Sequence, residues 1–360
     1  MIEFIIFFSY LLCFAKKRKI LYNRLYEGGS MKIIEKKKEL KAIFRKSKTI
    51  FIMAHKDLDL DALGSSIGMY FLLERLNKNC YLVIDDRNHE MGVQKVLQEL
   101  EGCLKIITSK SIEEHLYIRH KRNLLLILDT NKKELVQNTE VLDYFDQDQI
   151  MIIDHHDIGE TTIDTPLTFI DTEASSTCEM VTNLLESYHV KLDPYYSTLL
   201  LSGIVLDTNN FTLKTDGDTF YSAYYLSCMG ASPKKVQYLL KQELENYKEL
   251  QKIITNVDIL KNNIAISKGG SYTIYRKEEL AKAADTLLFF NNIELSFVIG
   301  KVSNKTIHIS GRSLGKYNVS KILEKLGGGG DVMGGAAQIK DSTISKVEQK
   351  LLQIIKNEEV

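Results

Sequence analysis

Thr49-Ile-Phe-Ile-Met-Ala54 runs directly into His55-Lys-Asp-Leu-Asp59-Leu-Asp61. Six apolar or β-branched residues end at once in an imidazole and three carboxylates. The apolar half is too short for a helix and suits a strand buried on both faces. The polar half reads as a loop through Gly64, with a helix expected from Ser65 to Leu76. The pattern recurs twice. Leu124 to Leu128 leads into Asp129, and Ile150 to Ile153 leads into Asp154-His155-His156. A further strand is expected at Tyr81 to Ile84. Short apolar runs alternating with helical segments predict an α/β fold, with a parallel sheet and helices on both faces.

Working outward, helices are expected over Ser176–Tyr188, Tyr195–Leu206, Thr219–Met229 and Lys234–Leu240, with Asp207 just past the second. Glu243 to Leu260 is charged and reads as a helical connector. The character then changes. Asn263–Ser267, Ser271–Arg276, Leu295–Val302 and Thr306–Ser310 read as strands, and Val319–Leu326 and Ile344–Ile355 as helices. The expected layout is an apolar and basic segment with a helix over 1–45, an α/β domain over 46–240, a connector over 241–257 and a smaller α+β domain over 258–360.

The bulk numbers restrict the function. Lys and Arg number 47 against 47 Asp and Glu, so no broad basic field suits long nucleic acid. None of the five cysteines forms a C-x-x-C pair, which argues against a zinc ribbon or disulfide framework and fits a reducing compartment. Residues 2–14 are mainly apolar and precede Lys16-Lys-Arg-Lys19, but the run is too short to span a bilayer. A truncated anchor, an interfacial helix and upstream sequence joined to a start at Met31 all stay open. Any membrane contact through this run would be weak and would leave the rest cytoplasmic.

The chemistry lies in the clustered acids and imidazoles. The carboxyl ends of parallel strands open into one crevice, where the groups after the three strands can meet. Imidazole with carboxylate suits Mn²⁺ and related hard or borderline divalent ions. A lone Asp at a strand end is usually a turn or cap residue; four such segments in this order point to a metal nest.

That order, H-x-x-x-D-x-D, then Asp129, then the DHH triplet, then Gly203-Ile-Val-Leu-Asp207-Thr208, resembles the DHH phosphoesterase superfamily. Gly311-Arg312-Ser313, Asn318-Val319 and Leu326-Gly-Gly-Gly-Gly330 resemble its DHHA1 substrate-binding domain. The resemblance spans roughly Lys46 to Lys340 and is nearest to the cyclic di-AMP phosphodiesterases. It implies a catalytic DHH domain followed by DHHA1, with two Mn²⁺ ions or other divalent ions as cofactors. His55, Asp59 and Asp129 would hold one ion; Asp61, Asp129, His155 and Asp207 the other. Asp154 would orient ligands, and His156 would contact the scissile phosphate. Arg312, Ser313, Asn318 and Gly327, Gly328, Gly329 and Gly330 would receive a cyclic dinucleotide or a short linear nucleotide. Ser176 and Thr177 would donate to a phosphate, cap a helix, or both. A homodimer is implied as well. A nanoRNase or pAp phosphatase, and a catalytically weak nucleotide binder, are the alternatives within the resemblance.

The chain departs from the family in three ways. Leu58 stands where Pro is usual, and Asp331 stands where the glycine run usually leads into His. An anionic side chain there opposes an anionic ligand unless it points away. The membrane, PAS and GGDEF domains that usually precede the catalytic part of the cyclic di-AMP enzymes are not expected, nor are the signals they read.

Overall fold

A computed structural model describes residues 33–85, 89–117, 120–241, 243–330 and 332–357. The apolar run at 2–14, Met31 and Asp331 lie outside the described residues. The chain divides into two compact units, 1–241 and 242–360.

The first unit is built on six strands: β1 (Thr49–Met53), β2 (Asn79–Val83), β3 (Ile106–Ile107), β4 (Asn123–Leu128), β5 (Ile150–Asp154) and β6 (Leu167–Ile170). Their order is β3-β2-β1-β4-β5-β6 and every pairing is parallel. Alternate residues serve opposite layers. Ile50 and Ile52 enter one core with helices α1 (Leu60–Arg75), α2 (Thr177–Ser187) and α3 (Pro194–Asp207). Phe51 and Met53 enter a second core with Ile112, Val136, Val141 and Phe145. Much of that second layer is short 3₁₀ turns, such as Thr139–Tyr144. The helix Lys37–Lys46, expected to stand apart from this domain, buries Leu40 and Phe44 in the first core.

The strand order reverses between β1 and β4, and at such a switch point two strand ends leave a crevice open. His55 follows β1, Asp129 follows β4, and the DHH triplet ends β5 beside it. Helix α1 starts five residues earlier than expected because Asp59 caps it, its Oδ1 accepting from the amides of Asp61 and Ala62 at 2.9 Å. Asp59 and Asp61 are therefore fixed by a helix start and not carried on a loop. Gly203 lets α3 approach: a Cβ there would lie 2.8 Å from Asp61 and 2.5 Å from Cys178 Sγ.

The second unit has strands β7 (Val257–Leu260), β8 (Ile264–Lys268), β9 (Leu295–Ser303), β10 (Thr306–Ser313), β11 (Gly329–Gly330) and β12 (Gly334–Lys340), in the order β11-β12-β10-β9-β8-β7. Only β8 and β9 pair in parallel. One face packs on Val319, Ile322, Val347 and Leu351, the other on Leu250, Ile253, Leu280 and Ala284.

Three expectations change here. The helix expected within the 241–257 connector, Leu244–Thr255, belongs to this unit, because its apolar stripe is buried in the unit's own core. Val257–Leu260, expected to continue it, is an edge strand. Ser271–Arg276 is a turn touching the sheet at one bridge, Ile274 to Lys301, and Lys277–Leu287 beyond it is a helix, α4.

Candidate metal centre

Asp129 sits at the centre. It is 3% exposed and has φ of 60°, a left-handed conformation that a non-glycine residue adopts at a cost. Its backbone N–H donates to Ile153 O, tying the turn to β5. One carboxylate oxygen, Oδ2, lies 3.4 Å from His55 Nε2; the other, Oδ1, lies 3.4 Å from His155 Nε2. His55 Nε2 is also 3.7 Å from Asp59 Oδ2, and His155 Nε2 is 3.2 Å from Asp207 Oδ2. Two donor sets result, His55, Asp59 and Asp129 in one, Asp61, His155 and Asp207 in the other, each with ligand atoms within 4.8 Å of one another. A third grouping joins Asp129 to His155 and His156. Asp129 thus reaches the histidines of both sets with separate oxygens.

The electrostatics favour cations. Asp61 is fully buried, and its carboxyl is pushed well above the usual range, first by burial and then by Asp207 and Asp129. Burial also raises Asp207 to about 6. Burial opposes protonation of His55, yet Asp129 and Asp59 overcome it and raise its pKa to about 11. His155 moves the same way through Asp129 and Asp207. The two imidazoles in turn hold Asp129 below the carboxylate range despite its burial. Buried acids and bases here satisfy one another only by holding protons. The fit to metal is seen at His155: Nε2 is buried, faces two carboxylates, and makes no hydrogen bond. A buried nitrogen so placed is a ligand atom in want of an ion. Asp59, Asp61, Asp129 and Asp207 together carry the charge that two divalent ions would cancel.

A supporting shell holds these groups. The Asp154 carboxylate is fully buried. Its Oδ1 accepts from the amides of His155 (2.8 Å) and His156 (3.2 Å) and from His156 Nδ1 (2.8 Å). Its Oδ2 accepts from Asn131 Nδ2 at 2.8 Å. Asn131 was not among the residues expected from sequence; its only signal there is its place two residues beyond Asp129. The His156 side chain is 53% exposed, and the bond from Nδ1 leaves Nε2 without a partner among the described residues. Thr177 and Ser176, expected to serve a phosphate, are fully buried. Thr177 Oγ1 donates to Asp129 Oδ1 at 2.9 Å, and Ser176 Oγ caps α2 by accepting from Glu179 N at 3.0 Å.

The other expected nucleotide residues lie in the second unit. Arg312 sits in β10 opposite Gly334 in β12, its Nε 2.8 Å from Asp285 Oδ1 and its Nη1 donating to Gly311 O. Ser313 Oγ accepts from the amides of Gly315 and Tyr317, and Asn318 caps the helix Val319–Glu324. Gly329 and Gly330 pair with Ala336 and Gly335 as a short strand; Gly330 has φ of 148°, and a Cβ on it would lie 2.2 Å from Gly334 O. Gly327, with φ of 77°, and Gly328 make the turn before it.

Residues 49–204 match the DHH family, N-terminal domain, and residues 261–358 match the DHHA1 domain. The cyclic-di-AMP phosphodiesterase GdpP of Geobacillus thermodenitrificans is 37% identical over 349 residues, covering 92% of this chain and 52% of the relative. The cyclic-di-AMP phosphodiesterase PdeA of Listeria monocytogenes is 34% identical over 347 residues, with the same coverage, 92% and 52%. The chain therefore spans about half the length of these curated relatives. An exopolyphosphatase-related protein of Bacteroides fragilis shares the fold, with a TM-score of 0.70 at 19% identity over 92% of this chain and 99% of the other.

Proposed function

From a chain that belongs to the DHH family and carries a DHHA1 domain, we propose a two-metal phosphodiesterase that hydrolyses cyclic di-AMP to linear 5′-pApA. The observation that carries the reading is Asp129, reaching one donor set with each oxygen. His55, Asp59 and Asp129 would hold one ion, and Asp61, Asp129, His155 and Asp207 the other. Bound there, divalent ions, manganese foremost, would make water a nucleophile at neutral pH and offset phosphate charge. The rest falls to side chains. Asp154 accepts from His156 Nδ1, which turns Nε2 toward the substrate; as an imidazolium the ring would donate Nε2–H to a phosphoryl oxygen and balance its growing charge. Water oxygen bonds to phosphorus, the P–O3′ bond breaks, and the 3′ oxygen takes a proton, leaving a 5′ phosphate. Arg312, with guanidinium donors beyond those it already uses, Ser313, Asn318 and the glycine run would receive the nucleotide. The relatives named for this activity are matched over most of this chain.

We place the enzyme in the cytoplasm as a homodimer, with weak membrane contact through residues 2–14. Among the described residues no helix is long and apolar enough to cross a membrane. The test is turnover of cyclic di-AMP, pApA and pAp side by side with Mn²⁺, with Asp331→His alongside. Cyclic di-AMP should be cleaved fastest, with pApA accumulating. Preference for pApA or pAp would instead make the protein an oligoribonuclease or phosphatase, and binding without turnover would make it a sensor.

A further inference from the structure

Glu179 has no part in the donor sets, yet it is a buried carboxylate whose partners among the described residues include no cation. Three groups converge on one oxygen, Oε2: Ser175 Oγ at 2.5 Å, Ser175 N at 3.4 Å and Thr219 Oγ1 at 2.8 Å. Thr219 lies in the first turn of the helix Gly217–Cys228, capped by Asp216. Glu179 therefore ties the start of that helix to the chain entering α2. A carboxylate buried against two hydroxyls and one amide, with no cation, is costly and calls for a reason.

The reason lies at the other side of the α2 start. Thr177 N donates to Asp61 Oδ2 and Cys178 N to Asp61 Oδ1, each at 2.8 Å, while Thr177 Oγ1 donates to Asp129 Oδ1. The N-terminus of α2 thus has a metal-set carboxylate as its anion, where first-turn N–H groups and the helix dipole favour negative charge. Those amides orient Asp61 only while residues 175–178 keep their path, and Glu179 fixes that path through its bonds to Ser175.

We infer that Glu179 is a positioning residue: by clamping Ser175 to Thr219 it holds the first turn of α2 in the register that aims Asp61 at its ion. The inference rests on the two-metal reading above but not on the substrate. The test is Mn²⁺ titration of the full chain without nucleotide, by calorimetry and electron paramagnetic resonance, with circular dichroism as the check on folding. Glu179→Ala should weaken one of the two ions by about tenfold, the low end of what outer-shell ligand partners contribute. The other ion should stay within about threefold, since Asp61 serves one set only. Glu179→Gln should restore wild-type binding, because its amide oxygen can still accept from both hydroxyls, Ser175 Oγ and Thr219 Oγ1. Thr219→Val, which removes one donor, should weaken the same ion by about threefold. Wild-type affinity in folded Glu179→Ala overturns the inference, as does equal weakening of both ions. If Glu179→Ala does not fold, Thr219→Val decides: weakening of one ion supports the clamp, and unchanged binding ends it. A wild-type chain that takes up no Mn²⁺ overturns the metal reading, and this inference with it.

Discussion

Asp129 in the first unit and Arg312 in the second are both charged groups at the end of an interior strand, but their surroundings differ in sign balance. Around Asp129 stand Asp59, Asp61 and Asp207 with two imidazoles, and no Lys or Arg pairs with them among the described residues. Arg312 already has its counter-ion, Asp285, at 2.8 Å. Burial pushes the Asp285 carboxyl up, and Arg312 pulls it back only in part. The first region carries a charge deficit that protons or metal ions must fill. In the second the Arg312–Asp285 pair is neutral as folded, so under the proposed function an incoming phosphate would compete with Asp285 or use the remaining guanidinium donors. Under the proposed function, chemistry that needs a strong field would fall to the first, and reversible recognition to the second.

The sharpest way to break this contrast is to remove its centre. Asp129→Ala takes an oxygen from both donor sets, and with each loss of the order of 10–100-fold, Mn²⁺-dependent turnover should fall by about 10²–10⁴-fold. Turnover kinetics with a parallel Mn²⁺ titration read it. Retained activity would mean that the two sets do not share a ligand.

The next effect is smaller and has a sign. Arg312→Ala should raise KM for cyclic di-AMP about tenfold with kcat little changed, the value of one charge-assisted contact. Asp285→Asn keeps an oxygen for Arg312 Nε but removes the competing charge, so KM should fall, by about threefold. Steady-state kinetics on the two variants decide: a KM that rises in both would make Asp285 the group that aims Arg312 and not its competitor.

The two regions were not equally legible. The unbroken runs Leu124–Leu128 and Ile150–Ile153 could hardly be anything but strands buried on both faces, and both are. Once those strands lie side by side, the meeting of Asp129 and His155 follows from adjacency. What could not be read was conformation: the left-handed turn at Asp129, the start of α1 at Asp59, and Asp207 as the last residue of a helix rather than a residue beyond it. In the second unit the helix Lys277–Leu287 was missed because its buried stripe, Leu280, Ala283, Ala284 and Leu287, is half alanine and gives a weak period. The strand Gly334–Lys340 was missed for a related reason. Its glycines and alanines carry no strand preference of their own, and only pairing with β10 and β11 makes them one.

The smallest effect at neutral pH tests the neutrality of the second region directly. His308 is buried in β10, four residues from Arg312, with Nε2 3.2 Å from Ser310 Oγ and Nδ1 without a partner. Burial, with Lys277 and Arg312 nearby, lowers its pKa from 6.5 to about 4. An unfolded chain takes this proton near pH 6.5 and the folded chain only near 4, so stability is intact above 6.5 and drains away as pH falls through that window. A shift of this size amounts to about 3 kcal/mol once the lower limit is passed. His308→Gln stays polar but cannot titrate. Its unfolding free energy, from denaturant curves at a series of pH values, should lie close to wild type at pH 7. The gap should then move in the variant's favour as pH drops to 4. Parallel curves for the two proteins across that window would mean that folded His308 takes up its proton as readily as the unfolded chain does, and that the second region accepts an added charge without cost.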